Sequence, residues 1–199
     1  MSLYALVQQL EKTQEVLPSK LEVLAKEVPA KNLDVKKLDE SIVFITQETR
    51  AELPEVTPET RERLENKGYP EEVIEVIGSD AEAEIYESAE LEAAEINGKP
   101  ALIRTDIDYE QQDAFGETNL ERMESGKAPL DVNGKPIELH HIGQQSDSPL
   151  AELTSAEHRS NGNDNVLHDK ISESTIDRVG FAKERIDHWK ARAEEVKNN

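Results

Sequence analysis

The chain contains no cysteine, so disulfide bonds and thiolate metal sites are excluded. Any metal ion that it binds has to be held by histidine nitrogen or by carboxylate or amide oxygen. The sequence also has no apolar run close to the about 20 residues that span a bilayer, and its amino terminus lacks the basic flank and apolar stretch of a signal peptide. We therefore expect no membrane span and no signal peptide in this chain.

Basic residues are scarce relative to acidic ones. Lys and Arg number 23 against 43 Asp and Glu, which gives a formal net charge of −20. Such a charge keeps a protein soluble and repels polyanions at long range, so it argues against indiscriminate binding to nucleic acid. The acidic excess is uneven, because residues 171–199 carry six basic and six acidic side chains.

The 199 residues are enough for one domain, or for one compact domain with a smaller appendage. Apolar residues keep helical spacing over 3–10 and over 38–45. Short helices are also predicted to begin at about Pro58 and Pro70, because proline is favoured in the first turn, and Thr57 is a plausible N-cap. These patterns predict a mostly helical amino-terminal region.

Two copies of the tetrapeptide NGKP, at 97–100 and 133–136, predict hairpin turns on the Asn-Gly signal. The strand that leaves the second turn, at about 137–142, contains the pair His140-His141 near its end. A second short strand is predicted over 149–153, and a helix capped by Thr154 over 155–159. A polar loop over 160–165 then leads towards a long final helix.

Four of the five histidines lie within 29 consecutive residues, namely His140, His141, His158 and His168. Imidazole is the commonest metal ligand and the side chain that titrates nearest neutral pH, so this clustering predicts a site. Adjacent residues on a strand point to opposite faces. One histidine of the pair is therefore able to bind a metal ion while the other reaches a substrate or a proton.

The final helix gives the clearest periodic signal. Its apolar stripe, at spacings of three and four, comprises Ile171, Thr175, Val179, Ala182, Ile186, Trp189, Ala193 and Val196. We expect Trp189 in the core and His188 on the surface. Arg178, Arg185 and Arg192 recur at intervals of seven beside this stripe. They fit either phosphate contact or a solvated face with local ion pairs, which is the commoner role of charged helix faces.

The stretch from Thr118 to His168 contains the segments NLERM, GKAPL, NGKPIELHH, SPLAELTSAEHR and a terminal LH, in that order. This ordered set resembles the LHH family of the HNH and endonuclease VII nuclease superfamily, whose members are commonly toxin domains of bacterial polymorphic toxin systems. The resemblance extends from about Tyr69 to Glu195. It divides the chain into a helical linker or delivery-associated region, residues 1–68, and an LHH/HNH-type nuclease domain, residues 69–199.

The resemblance implies an α+β fold with a ββα-metal core of the HNH or treble-clef-like type, followed by a long carboxy-terminal helix. It also implies one divalent metal ion, Mg, Mn, Ni or Zn, with His140 and His168 as ligands. His141 is then the general base, and His158 completes the catalytic group. Arg159 joins that group as a phosphate-binding residue, because a planar guanidinium matches phosphate oxygens.

Two further assignments remain open at this stage. Many HNH enzymes orient the general base with an Asn in the middle of the motif, and Asn163 and Asn165 are candidates for that role here. Arg122 either binds phosphate or belongs to a packed helix in which Leu120 and Met123 point inward.

The implied activity is metal-dependent endonucleolytic hydrolysis of phosphodiester bonds in DNA or RNA, since this chemistry requires no 2′-hydroxyl. The family context implies the toxin module of an interbacterial competition system, with a cognate immunity protein as its partner. Delivery into the cytoplasm of a target cell would then depend on a dedicated secretion system. The alternative is a non-catalytic binding or structural module that keeps the fold and presents its acidic surface to a protein partner.

Overall fold

The structure is a computed structural model that describes residue 50, residues 53–170 and residues 177–198. The helices predicted over 3–10 and 38–45, and the first residues of the predicted apolar stripe, lie outside these ranges. No helix in the described part is both long enough and apolar enough to cross a membrane. The same part of the chain contains seven α-helices and one four-stranded sheet.

Three helices precede the sheet: α1 (Pro58–Asn66), α2 (Glu71–Ile74) and α3 (Asp80–Ser88). The predicted starts are confirmed, since Pro58 lies in the first turn of α1 and Pro70 is the N-cap of α2. The Thr57 hydroxyl accepts a hydrogen bond from the Thr60 amide at 3.3 Å, as an N-cap does. Leu64 of α1 is fully buried in the main core. The division of the chain between residues 68 and 69 stays a prediction.

The strands are β1 (Glu92–Ile96), β2 (Lys99–Ile103), β3 (Glu138–His141) and β4 (Leu150–Leu153). Their spatial order is β1-β2-β4-β3, with antiparallel pairing at both edges and parallel pairing between β2 and β4. This mixed sheet confirms the α+β class. The first NGKP turn is a two-residue hairpin in which Asn97 and Gly98 have φ values of 54° and 72°, as the Asn-Gly signal predicts.

The second NGKP turn reverses the chain through a longer loop. Gly134 has a φ of 74°, and the carboxylate of Asp131 accepts hydrogen bonds from the amides of Asn133 and Lys135, at 2.8 Å each. An isolated β-bridge closes the loop. The predicted turn is therefore confirmed, although its geometry is set by an aspartate that the tetrapeptide does not include.

The edge strand β3, its neighbour β4 and the helix α5 (Ser155–Arg159) form the predicted strand, loop, strand and helix unit. His140 pairs with Ala151 and His141 with Leu150 in the β3–β4 register. Because neighbouring strand residues alternate between faces, the register sends the two histidines to opposite sides of the sheet.

Helix α5 begins with a capping box, which fixes its start at the predicted residue. The Thr154 hydroxyl accepts from the Glu157 amide at 3.2 Å, and the Glu157 carboxylate accepts from the Thr154 amide at 2.7 Å. His158 lies in the last turn of this helix.

Helix α6 (Asn163–Leu167) begins inside the segment 160–165 predicted as a polar loop, so that prediction is wrong for residues 163–165. Gly162, with a φ of 89°, redirects the chain immediately before the helix. Leu167 is fully buried in the main core. Burial of this apolar side chain outweighs the weak helix propensity of the polar residues before it. His168 follows directly and is the C-cap of α6.

The last helix, α7 (Arg178–Asn198), packs against α4 (Asn119–Glu124) and the sheet. Trp189 and Ala193 are buried with Met123 of α4, as predicted for the stripe. Its earlier members do not follow the prediction, since Val179 is 82% exposed and Ile186 is 43% exposed. The helix meets the core mainly with its second half.

A buried carboxylate holds α7 to the sheet. Glu152 of β4 is fully buried, and it accepts hydrogen bonds from His188 at 2.8 Å, from Arg192 at 2.9 Å and from the Arg104 amide at 2.9 Å. The prediction of a surface position for His188 is therefore wrong, and Arg192 does not belong to a solvated basic edge. Both were misplaced because a charge buried in the sheet requires partners from the helix.

Candidate active site

Three histidines from three different elements converge. His140 lies in β3, His158 lies in α5 and His168 follows α6. One nitrogen from each ring can be chosen so that all three nitrogens lie within 4.8 Å of one another. The ring centroids are separated by 4.8 to 5.1 Å. The sheet, the short capped helix and the turn of α6 thus bring together residues that are up to 28 positions apart.

His140 is the buried member of this histidine cluster, which we define as His140, His158 and His168. Its Nδ1 lies 3.2 Å from Nε2 of His158, and its Nε2 is buried without a hydrogen-bond partner among the described residues. Burial, followed by repulsion from the other two rings, holds the pKa of His140 well below its usual value. A neutral imidazole is what a metal ligand requires, and Nδ1 is the nitrogen of His140 that faces His158.

The spacing of the cluster also fits a shared ion. Two nitrogens bound tetrahedrally to zinc at about 2.0 to 2.1 Å would lie about 3.3 Å apart. The 3.2 Å between His140 Nδ1 and His158 Nε2 is close to that value. The donor set and this spacing therefore fit the divalent metal that the resemblance implies.

Glu138 fixes the orientation of His158. Its carboxylate lies 2.5 Å from Nδ1 of His158 and accepts a hydrogen bond from Arg159 Nε at 3.0 Å. Burial would raise the pKa of Glu138, but these two partners lower it overall. Burial also lowers the pKa of His158, against the opposing effect of Glu138. Because the carboxylate accepts from Nδ1, the Nε2 atom of His158 is left as the ligand atom.

His168 is oriented in the same way. Its Nδ1 lies 3.2 Å from the backbone oxygen of Asp164 and 3.1 Å from that residue's carboxylate, and both groups only accept hydrogen bonds. Lys170 pairs with the same carboxylate at 2.5 Å. The proton of His168 therefore belongs on Nδ1, and its Nε2 is available to a ligand.

His141 has different neighbours, as its position on the opposite face predicts. Its Nε2 lies 2.8 Å from Oε2 of Glu184 in α7, and its ring contacts that of Phe181 at 4.4 Å between centroids. Glu184 in turn pairs with Lys99 at 2.5 Å. Burial lowers the pKa of His141, although the hydrogen bond that its ring donates to Glu184 opposes the shift. A low pKa keeps the ring neutral and able to accept a proton near neutral pH.

Two cavities meet at this residue. The first, of about 580 Å³, is lined by all three members of the histidine cluster and by His141, Arg159 and Arg185. The second, of about 740 Å³, lies between the β1–β2 turn and α7, and includes Lys99 and Lys190 in its lining. His141 and Phe181 line both cavities. An extended ligand is therefore able to reach His141 from either side.

The structure separates the predicted site residues into two groups. His140, His158 and His168 come together, so His158 belongs to the group of potential metal ligands. The resemblance instead places it in the catalytic group with His141. Arg159 lines the same cavity, with its side chain 60% exposed and paired with Glu138.

The asparagines predicted as candidates for orienting the base make other contacts. The side-chain amide of Asn163 donates to the Glu157 backbone oxygen at 2.6 Å, and the side-chain oxygen of Asn165 accepts from Lys170 at 2.6 Å. The observed partner of His141 is Glu184, which sequence reasoning missed. No motif marks Glu184, because only the docking of α7 brings it to β3.

Arg122 has a structural environment. It donates to the carboxylate of Asp113 at 2.7 Å and to the backbone oxygen of Ala128 at 3.1 Å. Met123 beside it is fully buried. These contacts agree with the packed-helix interpretation, although the carboxylate partner lies in a preceding loop and not on the helix itself.

Residues 118–195 match the model of the LHH family, which is described as a nuclease of the HNH/ENDO VII superfamily with conserved LHH. This range of the chain is thus similar to LHH-family nucleases. The resemblance seen in the sequence is thereby confirmed over this range, and nucleic acid is the substrate that such a nuclease implies. No solved structure was found to match the chain.

The range that matches the LHH family contains the three histidines of the cluster, His141 and Glu184. The letters of its name correspond to Leu139, His140 and His141 of β3, and Glu184 of α7 also falls within the matched residues. The helices α1 to α3 and the β1–β2 hairpin lie outside the match. Residues 64–102, which include parts of these elements and the segments between them, contribute most of the main core and the Lys99 partner of Glu184.

Proposed function

We propose that the protein is a metal-dependent endonuclease that hydrolyses phosphodiester bonds. The observation that carries this proposal is the convergence of three oriented histidines inside the range that matches a nuclease family. His140, His158 and His168 would hold the ion. This set adds His158 to the two ligands expected from the sequence.

A divalent ion bound there supplies Lewis-acid stabilisation of the scissile phosphate and of the leaving oxygen. The three histidines leave at least one coordination position for water or substrate, as a catalytic site requires. Glu138 and Asp164 hold the rings of His158 and His168 with their Nε2 atoms directed away from these acceptors. The site is thus oriented before substrate binds.

His141 serves as the general base. Glu184 accepts a hydrogen bond from Nε2, which places the proton of the neutral ring on that atom. Nδ1 is then the atom that takes a proton from the attacking water. Glu184 also stabilises the imidazolium that results, because its carboxylate is already in contact with the ring.

The test is a cleavage assay on plasmid DNA and total RNA after treatment with EDTA and after addition of Mg, Mn, Ni or Zn. The wild-type protein is compared with His141→Ala and with Glu110→Gln, an exposed control. We expect cleavage that requires a metal and falls by about 10²- to 10⁴-fold in His141→Ala only. Absence of cleavage with every metal, while the fold is retained by circular dichroism, would favour the non-catalytic binding module.

We also propose that this nuclease is the toxin module of an interbacterial competition system, delivered to the cytoplasm of a target cell and neutralised by an immunity protein. The support is the sequence resemblance to a family of such toxins, together with a net charge of −20 that suits a basic partner. Cytoplasmic expression should arrest growth, and His141→Ala should relieve the arrest. If cells that express the wild type grow as fast as cells that express His141→Ala, the toxin role is contradicted.

A further inference from the structure

The arginines of this acidic protein are almost all neutralised by carboxylates. Seven of the nine arginines in the described residues form ion pairs, and these are Arg50, Arg61, Arg63, Arg104, Arg122, Arg159 and Arg192. Arg178 and Arg185, both exposed on α7, have no carboxylate partner among the described residues. An unpaired guanidinium is therefore the exception here.

Arg185 differs from Arg178 in its position. It lines the cavity of the histidine cluster, which Arg178 does not. Its guanidinium lies 5.1 Å from the centre of the Phe181 ring, one helical turn earlier. Phe181 in turn contacts the ring of His141. The aromatic ring thus holds a free cation one side chain away from the proposed base.

Two other cations near the histidines are already engaged. Arg159 lines the same cavity but pairs with Glu138, and Lys99 pairs with Glu184 in the second cavity. A phosphate that approached either residue would have to displace a carboxylate. Arg185 carries no such cost, and its planar fork matches two phosphate oxygens.

We propose that Arg185 binds a backbone phosphate of the nucleic acid in the cavity of the histidine cluster. This inference rests on the proposed nuclease function and names the residue that offsets the acidity of the protein at the point of cleavage. The arginines that recur at intervals of seven therefore have different environments. Arg192 forms a buried ion pair, whereas Arg185 lines the cavity in which we place the substrate.

Fluorescence anisotropy in EDTA tests the assignment in a His141→Ala background, with a short labelled DNA duplex and an RNA hairpin. Arg185→Gln should lower the affinity for the substrate by roughly 10-fold or more at low salt. It should also reduce the salt slope by about 0.9 for duplex DNA. Arg185→Lys should keep the salt slope and lose part of the affinity, because it keeps the charge without the fork. The matched control is Arg178→Gln, which removes the same charge from the same helix.

An equal loss in Arg178→Gln, an unchanged affinity in Arg185→Gln, or no binding of either nucleic acid would each overturn the phosphate site. The arm that binds, DNA or RNA, identifies the source of the phosphate. A separate outcome concerns the proposed function only. If Arg185→Gln loses binding while cleavage proves insensitive to His141→Ala, the phosphate site stands and the proposed base is wrong.

Discussion

Oε2 of Glu184 lies 2.8 Å from Nε2 of His141, and this contact joins the last helix of the domain to the histidine pair. Glu184 belongs to α7 and His141 to β3, so the orientation of the proposed base depends on how α7 is docked. Glu152 of β4 holds α7 against the sheet, because it accepts hydrogen bonds from His188 and Arg192 of that helix. The geometry of the base and the stability of the helix interface are therefore coupled.

Replacing Glu184 should affect turnover more than substrate binding. In Glu184→Ala the ring of His141 loses the acceptor that fixes its tautomer, so we expect kcat to fall by about 10-fold or more. The fall should not exceed the roughly 10²- to 10⁴-fold that a general base contributes. The KM should change little. Single-turnover kinetics at saturating protein measure this, with Lys183→Ala, an exposed neighbour, as the control. A loss confined to KM would show that Glu184 acts on substrate binding instead.

Glu138 should control metal affinity. It orients His158 through a 2.5 Å contact with Nδ1, and removal of such an outer partner typically weakens metal binding by about 10- to 100-fold. We expect Glu138→Gln to show that loss in calorimetric titrations with Zn or Mn. Glu110→Gln, which changes an exposed carboxylate, is the control. Unchanged affinity in Glu138→Gln would place the metal elsewhere.

The metal-free protein should lose stability as the pH falls below about 6.5. Burial lowers the pKa values of His140, His158 and His141 in the folded state, whereas an unfolded histidine titrates at about 6.5. The unfolded chain then binds more protons than the folded one, so stability is complete above that pH and declines as the pH falls through the folded values. Urea unfolding in EDTA between pH 7.5 and pH 5 measures the slope.

His140→Gln is the comparison for this slope, because it removes the most deeply buried titrating ring of the cluster. Its unfolding free energy should depend less steeply on pH over the same interval. A wild-type protein whose stability is flat or rises towards pH 5 would contradict the arrangement of neutral buried histidines.

Breaking the ion pair between Glu152 and Arg192 should be strongly destabilising. Both side chains are buried, and Arg192→Ala leaves a carboxylate in the core with one partner fewer. Loss of one partner of a buried pair typically costs about 3 to 5 kcal/mol. Arg61→Ala removes an exposed pair with Glu71 and should cost at most about 1 kcal/mol. The free energies are read from urea titrations.

Trp189 supplies a second measurement for the same variants. It is the only tryptophan of the chain and lies buried on α7, so its fluorescence should shift to longer wavelength if the helix detaches. A shift in Arg192→Ala before global unfolding would identify local undocking of α7. An unfolding free energy within 1 kcal/mol of wild type would contradict the structural role assigned to this ion pair.

Local features of the fold could be predicted well from the sequence. The capped helix at Thr154, the strand that ends in His140 and His141, and the turns at Asn97 and Asn133 all follow from short-range rules for caps, alternation and turn residues. The histidine cluster was likewise foreseeable, because its members are close in sequence and their order matches a family pattern.

The parts that could not be predicted depend on long-range packing. Helix α6 forms despite its polar composition because Leu167 packs in the core. His188 is buried because the buried carboxylate of Glu152 requires hydrogen-bond partners. Glu184 becomes part of the site only when α7 crosses β3. Its role is invisible in the spacing of residues, since 43 positions separate it from His141.

The order of elements along the chain has a consequence for biosynthesis. A ribosome completes β3, β4 and α5 before it makes α7, and a domain generally folds as a unit. The nascent chain therefore contains every proposed metal ligand before it contains Glu184 or Arg185. A chain translated only as far as residue 170 would lack both the partner of the proposed base and the proposed phosphate-binding cation. Under these proposals it would become competent for cleavage only after α7 has been synthesised and packed against the sheet.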